Sequence, residues 1–86
     1  MSHKAVLQQW VLEALAAHGG KADRLTVAKH IWHTRGRELE GTELFYTWQY
    51  DMSWAASELR KLGQLKPANA GPAGVWELSS DGPSLF

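Results

Sequence analysis

Three stripes of apolar residues at helical spacing run through residues 3–63, and glycine closes each of them. In the first, Val6, Leu7, Trp10, Val11, Ala14 and Leu15 recur at intervals of three and four, predicting a helix from His3 to His18 that stops at Gly19-Gly20. Lys21 to Leu25 is too short for a helix and reads as one brief strand. Thr26 is then the expected N-cap of a second helix, with Val27, Ala28, Ile31 and Trp32 as its apolar face and Gly36 as its end. Arg37 to Phe45 reads as a loop with one helical turn at Thr42–Phe45. Thr47 caps a third helix that ends at Gly63, with Asp51 near its positive end. Trp48, Met52, Ala55, Leu59 and Leu62 share one arc of that helix and should be buried.

After Gly63 the period changes. Leu65 opens an extended piece, Ala70-Gly71-Pro72-Ala73-Gly74 is a turn cluster, and VWELS alternates like a strand. Residues 65–69 and 75–79 are expected to pair as a hairpin, with Trp76 inside and Glu77 outside. The order helix, strand, helix, helix, strand, turn, strand is α+β. It is that of a winged helix-turn-helix, a three-helix core with a C-terminal β-hairpin wing.

The chain has 86 residues, enough for one domain, read here as residues 1–80 with a flexible tail over 81–86. So small a core must use large side chains, and 44% apolar residues with five tryptophans supply them. There is no cysteine, so neither a disulfide nor a thiolate metal site can help. The polar, periodic N-terminus is unlike a signal peptide, and no apolar run approaches the roughly 18 residues of a membrane span. These features predict a cytoplasmic protein with no membrane association.

Nine Lys+Arg against nine Asp+Glu give zero net charge, where nucleic-acid binders usually carry a basic excess. Any DNA affinity would therefore be modest, or would draw on a second copy or a fused domain.

The stretch YDMSWAASELRKLGQLKPANAGPAGVWELS resembles the end of the N-terminal winged-helix domain of Mrr-type restriction endonucleases. The residues that carry the resemblance are Trp54-Ala55, Leu59, Lys61, Gly63, Leu65 and Gly74-Val75-Trp76-Glu77-Leu78. It implies double-stranded DNA binding in a bacterial restriction-system or regulatory component. It does not imply cleavage, because that family's nuclease chemistry lies in a separate C-terminal domain. The wing here departs from a strong DNA-binding pattern: its turn has no arginine, and the nearest cation, Lys66, is its one candidate for a DNA contact.

On the third helix, Tyr50, Ser53, Trp54, Ser57, Lys61 and Gln64 fall opposite the buried arc. Small hydroxyls permit close approach, lysine meets phosphate and glutamine can read adenine. The competing reading packs Tyr50 and Trp54 beneath the wing or against the 37–45 loop. Lys29, Arg35 and Arg37 are candidates for phosphate contacts, or else form a solvated face balanced by Glu38 and Glu40. His30 and His33, with His18 nearby, have too few companions for a metal site. Asp51 and Glu58 are expected on a solvent-leaning edge without acid/base work. No nucleophile elbow or phosphate-cradling glycine loop occurs. The sequence therefore predicts no enzyme, cofactor, metal or small-molecule substrate. The alternative to DNA binding is an interaction module that forms a homodimer or docks a partner through Tyr50, Trp54 or Leu85-Phe86.

Overall fold

A computed structural model describes residues 4–67, 71 and 74–79. The elements are α1 (Lys4–Ala17), β1 (Lys21–Asp23), α2 (Arg24–Glu40), a 3-10 helix (Glu43–Tyr46), α3 (Trp48–Lys61) and β2 (Val75–Glu77). The expected tail over 81–86 and the turn residues Pro72 and Ala73 lie outside the described residues. Among the described residues, no helix is long and apolar enough to cross a membrane.

The α1 stripe behaves as its spacing predicts. Leu7, Trp10, Val11, Ala14 and Leu15 are buried, and they meet Val27, Ile31 and Leu39 of α2 and Met52, Ala55, Ala56 and Leu59 of α3. Beyond Ala17 the chain turns through Gly19 and Gly20, both at positive φ, where the Gly20 N–H donates to the Leu15 carbonyl at 2.8 Å.

Helix α2 departs from expectation at both ends. Its cap is Asp23, not Thr26: the Asp23 carboxylate accepts the Thr26 backbone N–H at 2.8 Å, so the helix already begins at Arg24. The expected strand therefore shortens to three residues. Nor does Gly36 end the helix, which continues to Glu40 with Gly41 as its C-cap. A mid-helix glycine costs about 1 kcal/mol relative to alanine. Full burial of Leu39 in the last turn offsets that cost, since emptying such a site costs at least about 2 kcal/mol. The loop expected from Arg37 correspondingly shrinks, and its helical turn falls one residue later, at Glu43–Tyr46.

Two side chains assigned to the core lie elsewhere. Leu62 is 58% exposed because the helix ends at Lys61 and the chain turns away through Gly63 at φ +80°. Trp32 is also exposed, and its indole stacks on buried Trp48 with ring centroids 6.1 Å apart. Asp51, expected on a solvent-leaning edge, is instead buried. It accepts the Thr47 hydroxyl at 2.8 Å, which compensates lost hydration.

The sheet extends the sequence reading. β2 pairs antiparallel with β1, placing Ala22 opposite Trp76, a pairing the hairpin expectation did not include. On its other side β2 meets the 65–69 segment antiparallel, as expected, over the described part of that segment: Leu65 bridges Leu78, with Lys66 N–H donating to the Glu77 carbonyl at 2.9 Å and Ser79 N–H to the Gln64 carbonyl at 3.0 Å. Residues 68–70 lie outside the described residues. Trp76 is buried, as its place in the alternation predicts, and with Leu65 it closes the core.

Candidate nucleic-acid interface

The apolar spacing of α3 turns Met52, Ala55, Ala56 and Leu59 inward, so the opposite side of the same helix must face solvent. Tyr50, Trp54, Ser57 and Lys61 are exposed there, with Ser53 half-buried at the margin. No acidic residue lies within this stripe. Glu58 flanks it and forms an i,i+3 ion pair with Lys61 at 3.1 Å. The Lys61 side chain is 75% exposed, so this pair is weak and a phosphate can compete for the ammonium.

The structure adds one cation that sequence reasoning missed. Arg24, first residue of α2, reaches across to α3: its Nε donates to Ser53 Oγ at 2.8 Å and its Nη2 to the Gln49 carbonyl at 3.3 Å. The Arg24 backbone N–H donates to the Gly74 carbonyl at 3.0 Å, tying the helix start to the entry of β2. These contacts consume two of five guanidinium N–H groups, and the rest remain for an acceptor beyond the α3 face. Ser53 is thus an anchor for Arg24 rather than a free hydroxyl.

The other candidates separate. Arg35 donates to Glu13 of α1 at 2.8 Å and to Glu38 at 3.4 Å, and its guanidinium lies 5.4 Å from the centre of the Trp10 ring. The hydrogen bond from Arg35 holds the Glu13 carboxyl below its ordinary range, and the same bond raises Arg35. Arg35 joins α1 to α2. Gln64 lies beyond the end of α3, where its backbone serves the sheet edge. Lys66 pairs with Glu77 at 3.1 Å across that edge. Lys29 and Arg37 are exposed on the solvent side of α2 and make no ion pair with described residues. Of ten candidate residues, five therefore share the α3 face.

The histidines pair differently from their sequence spacing. His30 meets His18 edge-on with ring centroids 5.4 Å apart, while His33 is exposed. Among the described residues, no three His, Asp or Glu side chains gather as a metal would require. Comparison of the chain with family models, curated proteins and solved structures finds no match.

An aromatic cleft lies beside the start of α3. Leu25, Lys29, Trp32, Phe45, Trp48 and Gln49 line a space of about 440 Å³ between α2 and α3. Trp32 spans it, stacked on Trp48 and tilted against Phe45 at 6.4 Å.

Proposed function

We propose that this chain is a non-catalytic winged helix-turn-helix module that binds double-stranded DNA through the outward face of α3. The observation that carries the reading is the acid-free stripe of Tyr50, Ser53, Trp54, Ser57 and Lys61, with Arg24 anchored on Ser53. A face on which α3 presents hydroxyls and a lysine, with an arginine reaching onto it from the start of α2, meets the needs of a major-groove reader: cations for phosphate, small residues for approach and polar tips for base edges. The element order and the placing of β2 between β1 and the Gln64–Lys66 segment support the winged-helix reading. The Mrr-like residues from Trp54 to Leu78 add support, since they run through this helix and β2.

The test is the anisotropy of a labelled duplex at low and moderate salt. Arg24→Ala and Lys61→Ala should each weaken binding across sequences and reduce the salt slope by about 1, as one phosphate contact is lost. Ser57→Glu, which sets a negative charge mid-stripe, should weaken it further. Equally poor binding by wild type and all three variants at low salt overturns the proposal.

A second reading, docking of a protein partner through this face, is favoured by the 76% exposure of Tyr50, a large ring outside the core. It predicts that Trp54→Ala abolishes partner binding while duplex titrations stay weak and insensitive to the variants.

A further inference from the structure

The solvent side of α2 carries an arrangement that the DNA-binding reading does not use. Lys29, Trp32, Gly36, Arg37 and Glu40 project from one face of this helix, at about 100° per residue. Lys29, Arg37 and Glu40 are exposed, and none makes an ion pair with described residues. An open depression of about 420 Å³ lies among Trp32, His33, Gly36, Arg37 and Glu40. Gly36 has no explanation inside the protomer: a Cβ built there meets the Trp32 indole at 3.5 Å, an ordinary contact, so alanine fits.

The order of charges along this face is self-complementary when reversed. Two α2 helices placed antiparallel about a twofold axis between residues 34 and 35 set Lys29 opposite Glu40, Trp32 opposite Arg37 and His33 opposite Gly36. A twofold interface makes every such pair twice. The Lys29–Glu40 pairs would stand at either end, since these residues lie about 16 Å apart along the axis. Between them, each Arg37 guanidinium meets the face of the opposing indole. Glycine at the centre permits close approach of the two backbones, and antiparallel helix dipoles are mutually favourable.

We infer that the α2 face of Lys29, Trp32, Gly36, Arg37 and Glu40 docks a second copy of this chain as an antiparallel, twofold dimer. This inference is independent of the proposed DNA contact on α3. One helix pair covers less than the roughly 800 Å² per partner of a standard interface, so the dimer is weak and concentration-dependent.

Sedimentation equilibrium across the micromolar range tests it, with circular dichroism confirming each variant's helix content. Wild type should show monomer and dimer in exchange. Lys29→Glu alone and Glu40→Lys alone should each weaken self-association at least tenfold, by placing like charges opposite one another. The Lys29→Glu/Glu40→Lys double variant should restore it. An equimolar mixture of the two single variants should form a heterodimer, because one chain then presents two acids and the other two lysines. Gly36→Leu, which fills the depression, should leave only monomer. A wild type that stays monomeric, or single variants that associate like wild type, overturns the inference, as does a mixture that fails to associate. Monomeric protein in which Lys29→Glu weakens duplex binding would instead place this face on DNA.

Discussion

Asp23 and Glu13 show how single carboxylates fix the geometry of the first two helices. Hydrogen bonds from Thr26 hold the Asp23 carboxyl below its ordinary value, and the bond from Arg35 does the same for Glu13. A carboxyl whose folded value is lowered stabilises the fold fully above its unfolded value, about 4. That contribution is lost as pH falls through the lower folded value. Thermal melts between neutral pH and about pH 2 should therefore show a steeper acid decline in wild type than in Glu13→Gln. An identical acid limb in the two proteins would mean that the Arg35–Glu13 tie is absent in solution. Arg24 shows what sequence alone leaves hidden. Its partners Gln49 and Ser53 lie 25 and 29 residues away, and no local pattern encodes such a contact. Reading Thr26 as the cap placed Arg24 in a strand, whose side chains have no reason to reach α3. The shift of cap by three residues thus concealed the arginine that the site now includes.

At the scale of elements, the helices were legible because their cores repeat at helical spacing, whereas their ends depended on contacts between elements. Gly36 is a stop signal in sequence, yet Leu39, three residues later, is anchored in the core and carries α2 through it. Leu62 continues the α3 arc on paper but falls after the last helical residue. Leu59→Ala should consequently cost about 2–5 kcal/mol in urea unfolding, the range for emptying a packed leucine. Leu62→Ala should stay within about 0.5 kcal/mol. Equal losses at both positions would contradict the packing of α3. The sheet was legible only in half. The alternation of VWELS and the Gly/Pro turn advertise the strand, the inward Trp76 and the local neighbour at Leu65, but not the ladder that β2 forms with β1, over 50 residues earlier. Amide exchange should show protection at Lys21–Asp23 together with Val75–Leu78. Loss of protection in β1 after Trp76→Ala would confirm that one buried ring holds both strands.

For the whole molecule, zero net charge conceals an uneven distribution. Glu38, Glu40 and Glu43 gather at the far end of α2 and in the 3-10 helix, and Glu13 and Glu77 are paired with Arg35 and Lys66. The α3 stripe keeps Lys61 and its neighbour Arg24 as its cations, with half-buried Arg60 on the same edge as Ser53. That the outward stripe faces solvent was readable from the helical wheel; its charge balance was not, because it depends on which cations find partners across elements. Two phosphate contacts per protomer predict a slope of log affinity against log salt of about −2, shallow beside strongly basic DNA binders. A far steeper slope would mean that cations elsewhere, such as Lys29 and Arg37, carry the contact. The most direct test of the central claim is a two-dimensional amide and indole NMR titration of the protein with a short duplex at low salt. Binding through α3 predicts shifts concentrated at Tyr50, Ser53, Trp54, Ser57 and Lys61, with Arg24 moving alongside them and the α1 resonances still. Shifts confined to other faces, or no shifts at saturating duplex, would contradict it.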